Sequence, residues 1–336
     1  MPPRLSVVMP VLNALPFLDA AIGSILGQSF ADFEFVILDD GSTDGSTEAL
    51  RGWAKRDARI RLIEGGARLG PAGASNRVVR EATAPIVARM DADDIAYPER
   101  LARQLALLDA EPDAMLVGTL WDVIDEQGGK VREADRSRLL RVSPFPPFAH
   151  PTVMFRRDAF DRAGGYRAEA DRWEDIDFYL RMAAEGRILV LAEPLLRYRH
   201  SSTSTRSRDG REVFEKAMHL MYCCVAEYVR GNDYSPILEG PHEPAPGEKL
   251  MVPSFIACGA PAVWAGKRPH AFRRLATRGL LRWNRESAVA MIWAAWADLE
   301  PRSLRLFLKS FLKLRNAAAR RRLGDRAWVE WKPPHA

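Results

Sequence analysis

The chain has 336 residues, 47% of them apolar, with 49 Lys plus Arg against 44 Asp plus Glu and a formal charge of +5. That apolar share excludes wholesale disorder and predicts a sizeable core, in one large domain or two smaller ones. Cys223, Cys224 and Cys258 are too few and too clustered for a disulfide scaffold, and no Cys-x-x-Cys spacing supports a structural zinc.

The opening Met1-Pro2-Pro3-Arg4 lacks the basic and then apolar order of a signal peptide, and residues 5–12 are too few to span a bilayer, so action in the cytoplasm is expected. Residues 5–11 read as a buried strand, and 15–26 carry apolar residues at helical spacing up to Gly27. A second strand over 33–38 runs into Asp39-Asp40-Gly41-Ser42-Thr43-Asp44, where Gly41 permits a tight turn and the polar cluster can cap a helix over about 46–54. Strand 60–64, helix 70–81 and strand 85–90 continue the alternation of a parallel α/β domain. The last strand ends in Asp91-Ala92-Asp93-Asp94, three carboxylates in four positions.

Side chains repeat with period two along a strand, so Asp91 and Asp93 point the same way and offer hard oxygen ligands to Mg²⁺ or Mn²⁺. The alternative is an N-cap and solvated loop before a helix starting near Pro98. Ligands of such sheets sit at the carboxyl ends of the strands, where Pro10, Asp39, Asp40 and the 91–94 cluster all fall. No Gly-x-Gly-x-x-Gly follows the first strand and no Gly-Lys-Ser/Thr phosphate loop is present, which excludes the usual dinucleotide and P-loop sites. Acidic strand ends can instead accept from a ribose or base and, with a cation between, hold a diphosphate.

Farther along, 115–120 is strand-like, 125–129 marks a turn, and the rigid aromatic run 144–151, which contains His150, leads into a strand over 152–155. Trp173-Glu174-Asp175 opens an amphipathic helix, whose field at the first turn favours ionised carboxylates. They are either two capping acids or a proton acceptor, Asp175, with Glu174 beside it to orient base or acceptor. Residues 188–191 are strand-like and lead to Arg197, Arg199 and His200, after which the polar stretch 201–207 reads as a mobile lid. A helix over 213–228, a proline-rich loop over 233–247, a packed helix at 288–297 and an amphipathic basic segment at 304–315 complete the chain. The cations concentrated over 267–326 suit an anionic surface, lipid or nucleic acid, or are ordinary helix solvation.

Five segments in order, Val8-Met9-Pro10-Val11-Leu12-Asn13-Ala14, Ser24 to Ser29, Phe35 to Asp44, Met90-Asp91-Ala92-Asp93-Asp94 and Trp173-Glu174-Asp175, resemble the landmarks of the family 2 glycosyltransferases, inverting nucleotide-sugar transferases of GT-A fold. The resemblance implies an α/β GT-A domain with a Rossmann-like, mostly parallel sheet over 1–208, nucleotide-sugar and metal binding over 1–108, an acceptor side over 109–208, and a mostly helical region over 209–336. It implies that Pro10 lines the nucleotide pocket with Asp40, that Asp39 approaches the base, most often uracil, and that Asp91 lies on the ribose side. Asp93 resembles the metal ligand, with Asp91 and His200 completing the Mn²⁺ or Mg²⁺ site, Arg199 facing phosphate, and His150 and Trp173 near the acceptor.

One departure stands out. Many relatives carry Arg-Asn in the helix after the third strand, where this chain reads Ser75-Asn76; Arg77 lies on a different face and does not replace that arginine directly. The expected function is inverting transfer from a nucleotide-diphosphate sugar, UDP-linked by the resemblance, to a saccharide or lipid-linked saccharide in envelope or exopolysaccharide assembly. Peripheral contact with the inner face of the membrane is a further expectation, and no nucleic-acid partner is. The competing reading is a non-enzymatic module binding nucleic acid or an anionic surface through the basic C-terminal region.

Overall fold

The computed structural model describes residues 3–140, 145–200, 211–240, 323 and 327–333. The first half contains β1 (Leu5–Val11), α1 (Leu15–Leu26), β2 (Phe33–Asp39), α2 (Ser46–Arg56), β3 (Ile60–Glu64), α3 (Gly70–Glu81) and β4 (Ile86–Arg89). β1 lies between β2 and β4 and is parallel to both, with Val11 opposite Asp39 and Val8 opposite Arg89. Covered on both faces, it needs the almost unbroken apolar run that its sequence supplies. Leu5, Val7 and Met9 pack with Leu18 and Ile22 of α1 on one face, whereas Val8 joins Val36, Val78 and Val79 on the other. The period of two thus feeds two cores, one on each side of the sheet.

The second half adds β5 (Ile95–Ala96), α4 (Arg100–Ala110), β6 (Ala114–Ile124), β7 (Lys130–Arg132), β8 (Met154–Arg156), α5 (Arg157–Arg162), α6 (Glu174–Glu185), β9 (Arg187–Arg199), α7 (Arg211–Val229), α8 (Ser235–Glu239) and β10 (Trp328–Trp331). Among the described residues the strand order is β10-β9-β6-β8-β4-β1-β2-β3, with β5 on β9 and β7 on β6. β8 is antiparallel to β4 and to β6, and β6 and β9 are parallel. The fold is the expected α/β architecture, a central sheet whose parallel half is flanked by helices. Phe155, Phe160, Tyr166 and Phe178 interlock under α6, the Tyr166 and Phe178 centroids 4.6 Å apart.

Three elements depart from the sequence expectation. β9 continues well past 188–191: Thr119 faces Leu191 and the next β6 residue, Leu120, faces Pro194, so Ala192 and Glu193 bulge out and the proline falls where the ladder is already interrupted. α8 lies inside the stretch expected as loop, held by the Tyr234 hydroxyl, which donates to the fully buried Asp177 of α6 at 2.9 Å. Asp177 also pairs with Arg167 and Arg181. Finally, β10 returns to the sheet antiparallel to β9, with Trp331 opposite Ile188 and its ring edge-on to Phe148 at 6.1 Å. A mostly helical reading of 209–336 does not contain that strand. The expected lid over 201–207, the helix at 288–297 and the basic segment at 304–315 lie outside the described residues. Among the described residues no helix is long and apolar enough to cross a membrane.

Candidate functional site

The carboxyl ends of β1, β2 and β4 meet because the strands are parallel and in register. Asp40 N–H donates to the Val11 carbonyl at 2.8 Å, and Met90 N–H to the Val8 carbonyl at 2.9 Å. The turns after β1 and β2 are tied together: Asn13, with φ at 52°, donates its N–H to Ser42 Oγ, and its Oδ1 accepts from Thr43 N–H. Ser46 Oγ and Asp44 accept the N–H groups of Ala14 and Leu15, so the start of α1 is capped from another loop. Burial raises the Asp44 carboxyl, but the hydrogen bonds from Ser46 and the Leu15 N–H outweigh it and hold the group below the usual carboxylate range.

Asp39 and Asp40 are each 3% exposed and point to different work. Asp39 accepts from Ser42 N–H at 3.0 Å and from the Thr47 hydroxyl, and its own carbonyl accepts from Gly65 N–H at 2.8 Å. A Cβ at Gly65 would sit 2.6 Å from that carbonyl, so only glycine lets the chain after β3 come so close. Asp40 accepts from Leu69 N–H at 2.7 Å and Gly70 N–H at 3.0 Å, which caps α3.

In the acidic loop the three carboxylates separate. Asp91 Oδ1 lies 3.0 Å from Nη2 of Arg89, and Asp93 is partly exposed. Asp94, 1% exposed, accepts from Arg199 N–H at 2.7 Å with one oxygen, while the other is enclosed with no partner among the described residues. Burial, then the negative charges of Asp93 and Asp91, push the Asp94 carboxyl far above its ordinary range. Arg199 donates to the carbonyls of Asp93, Asp125 and Glu126 and stacks over Phe17. It therefore braces the acidic loop from behind.

His200 N–H donates to the Ile124 carbonyl, and its ring meets Tyr198 edge-on; the side chain is exposed. Among the described residues no three His, Cys, Asp or Glu side chains form a ready-made metal cage, so His200 is not gathered with Asp91 and Asp93. Carboxylates alone suit an Mg²⁺- or Mn²⁺-like ion that takes its remaining ligands from phosphate and water.

Across the site, α6 begins with Trp173 as N-cap residue, then Glu174 and Asp175 in the first turn. Burial and the Asp175 charge raise Glu174 to about 7, and burial raises Asp175 to about 6. Desolvation therefore outweighs the helix field expected to favour the ionised forms. Glu174 Oε2 has no partner among the described residues, and neither do Trp173 Nε1, Tyr166 Oη or His150 Nε2. Trp173 is 1% exposed, so its ring belongs to the core and only its N–H is left to act. His150 Nδ1 is 2.6 Å from the Tyr179 hydroxyl, and burial and the Arg89 charge hold the imidazole well below its ordinary range, hence neutral.

Sequence reasoning named Asp39, Asp91, Asp93, Glu174 and Asp175 but passed over Arg89, Tyr166 and Tyr179. The signal at Arg89 was a cation inside an apolar strand, Ile86-Val87-Ala88-Arg89; Tyr166 and Tyr179 carry none, since tertiary packing alone brings them in.

Residues 6–168 match the model of glycosyl transferase family 2. "Putative glycosyltransferase EpsE" of Bacillus subtilis is 35% identical over 233 residues, covering 66% of this chain and 82% of EpsE. The O-antigen biosynthesis glycosyltransferase WbnJ of Escherichia coli is 32% identical over 211 residues, covering 60% and 82%. In fold the chain is similar to the mannosyltransferase PcManGT of Pyrobaculum calidifontis, solved with GDP-Man and Mn²⁺, at TM-score 0.55 and 22% identity over 97% of this chain and 88% of that one. S. aureus TarS 1-349, solved with UDP-GlcNAc, gives TM-score 0.54 and 19% identity over 66% of each chain. With acidic turns at the ends of parallel strands facing a carboxylate pair on α6, and relatives matched over most of their length, the chain belongs to glycosyl transferase family 2 and is a glycosyltransferase.

Proposed function

We propose that this glycosyltransferase moves a sugar from a nucleotide-diphosphate donor, UDP-linked, to a hydroxyl of a saccharide or lipid-linked saccharide, with inversion at the anomeric carbon, in envelope or exopolysaccharide assembly. The observation that carries the reading is the pairing of two unlike carboxylate sets around one site: the β2 and β4 acids on one side, and the partly desolvated Glu174 and Asp175 on the other. The neighbours solved with UDP-GlcNAc or with GDP-Man and Mn²⁺ support a nucleotide-sugar donor, and a relative named for O-antigen biosynthesis supports a saccharide acceptor.

In this reading Pro10 and Asp39 bound the base pocket, and Asp40 shapes it by fixing the start of α3. Asp91 faces the ribose, and Asp93 with Asp91 holds Mn²⁺ or Mg²⁺. When bound, the ion offsets charge on the leaving nucleoside diphosphate. Arg199 serves phosphate binding through the loop it braces, and His200, exposed at the end of β9, meets the metal or the diphosphate once the donor is bound. Asp175 accepts the proton of the attacking hydroxyl at a carboxyl poised near neutrality, Glu174 orients it, and neutral His150 and the Trp173 N–H hold acceptor oxygens. A single displacement needs no second nucleophilic carboxylate at the anomeric carbon, which separates it from glycoside hydrolysis with retention.

Catalysis belongs to residues 1–208, split near 108 between donor and acceptor; α7, α8 and β10 belong to the same compact unit, and peripheral contact with the inner face of the membrane is assigned to the basic segment at 304–315. The test is a donor screen with purified protein, reading nucleoside-diphosphate release with and without an acceptor panel, beside UDP binding with and without Mn²⁺. Metal-dependent UDP binding and acceptor-dependent release are expected. Salt-sensitive nucleic-acid binding without nucleotide preference would instead favour the non-enzymatic module.

A further inference from the structure

Arg89 stands where a strand buried on both faces normally carries an apolar residue. It is 8% exposed, yet it is not an isolated buried charge. Its Nη1 donates to Ser75 Oγ of α3 at 2.9 Å, and its Nη2 pairs with Asp91 Oδ1 at 3.0 Å. Its Nε is enclosed without a partner among the described residues. The groups electrostatically coupled to it include Asp91 of the β4 loop, Glu174, Asp175 and Tyr179 of α6, Tyr166 ahead of α6, and His150 ahead of β8.

A buried arginine carries a desolvation cost that good partners must offset, and removing one partner of such a pair is strongly destabilising. The neighbouring helix position, 75, carries a serine that contributes one hydrogen bond and no charge. The cation of this region therefore enters from the strand and not from the helix.

We propose that Arg89 is the positioning residue of this site: anchored on Ser75, its guanidinium fixes Asp91 and supplies one charge around which the donor-side carboxylate and the α6 carboxylate pair are held together. This rests on the proposed function for its catalytic consequence, though not for the charge coupling itself. The fork of the guanidinium suits the task, since it reaches a hydroxyl and a carboxylate at once, whereas an ammonium from position 89 reaches one of them.

The test uses the full-length protein and five variants: Arg89→Met, Arg89→Lys, Ser75→Arg in the Arg89→Met background, and Glu174→Gln in both the wild-type and Arg89→Met backgrounds. In transfer assays Arg89→Met is expected to raise the donor KM and to lower kcat together, with kcat/KM down on the order of 10²-fold. Arg89→Lys should recover part of the KM. Ser75→Arg in the Arg89→Met background should recover more than Arg89→Lys, because a guanidinium from position 75 starts within hydrogen-bond reach of the place left by Arg89. A merely structural role would lower the melting temperature and leave kcat and KM of the folded fraction alone.

The second readout does not need turnover. At pH 8, Glu174→Gln should raise the melting temperature by about 3 °C more in the Arg89→Met background than in wild type, because neutralising one carboxylate relieves a pair that has lost its counter-charge. That coupling without any nucleotide-sugar transfer by the wild-type protein would uphold Arg89 and sink the functional reading. Transfer by the wild type, with Arg89→Met unchanged in kcat and KM and no coupling to Glu174, would overturn the proposal. If Arg89→Met fails to fold, Arg89→Lys and Ser75→Ala decide the matter by the same KM and kcat split.

Discussion

Two pairs of adjacent acids lie on opposite sides of this site, and they are treated in opposite ways. Asp39 and Asp40, at the end of β2, are almost wholly buried, and every carboxylate oxygen accepts a hydrogen bond from a backbone N–H or a hydroxyl. Glu174 and Asp175, at the start of α6, are less enclosed as residues, yet Glu174 Oε2 has no partner among the described residues, and both carboxyls are raised, to about 7 and about 6. Burial with partners turns a carboxylate into scaffold. Burial with fewer of them, a single N–H from Ile176 on Asp175 Oδ1 and, among the described residues, none on Glu174 Oε2, leaves carboxyls whose protons are easily exchanged near neutral pH, which is what general acid–base work requires.

The sharpest way to break the comparison is to remove the exchangeable group and keep the scaffold. Asp175→Asn should lower the transfer rate on the order of 10²-fold or more while preserving most donor binding, because it deletes proton acceptance and leaves the β2 and β4 acids in place. Near-normal transfer by folded Asp175→Asn across the pH range would pass the role of base to Glu174. Asp93→Ala should fail in the other way: Mn²⁺-dependent UDP affinity should fall about tenfold or more, measured by calorimetry with and without the metal. Equal UDP binding by that variant with and without Mn²⁺, at wild-type strength, would remove Asp93 from the metal site.

The scaffold side yields to a stability measurement. Asp40→Ala leaves the Leu69 and Gly70 N–H groups at the start of α3 without their cap and should lower unfolding free energy by about 1–2 kcal/mol in denaturant titrations. A loss confined to UDP affinity, with stability untouched, would mean that Asp40 meets the nucleotide and not the helix.

The role of Asp40 as the cap of α3 was not legible in the sequence. The run Asp39-Asp40-Gly41-Ser42 marks a polar turn after a strand, but the partner that decides the role of Asp40 lies 30 residues on, at Gly70, and is brought near only by the β3 to α3 connection. The same limit explains Arg89 and Tyr166, whose meaning depends on helix and strand packing between distant segments. Elements whose signal is local were legible: the apolar runs of β1, β2 and β4 and the helical spacing of α1 and α3 match their observed spans closely. β9 runs past the strand-like 188–191, and only the bulge against β6 shows how it passes Pro194. β10 was invisible for a simpler reason: four residues gain a strand conformation only from the β9 edge on which they dock.

The finest test of the α6 pair is a pH dependence of stability, and its sign follows from the direction of the shifts. Glu174 moves from an ordinary 4.5 to about 7 on folding, and Asp175 from 3.8 to about 6. Between those values the native state holds more protons than the unfolded chain, so unfolding free energy falls as pH rises. The contribution is present in full below about pH 4 and lost once pH passes the folded values near 7. Other groups titrate in the same window, notably the depressed His150, whose effect runs the opposite way. Comparing wild type with Glu174→Gln under identical buffers cancels those shared terms. The variant should lose stability less steeply between pH 5 and 7, and a slope identical to wild type would show that Glu174 is solvated as an ordinary surface acid, leaving nothing to separate it from the capping acids of any other helix.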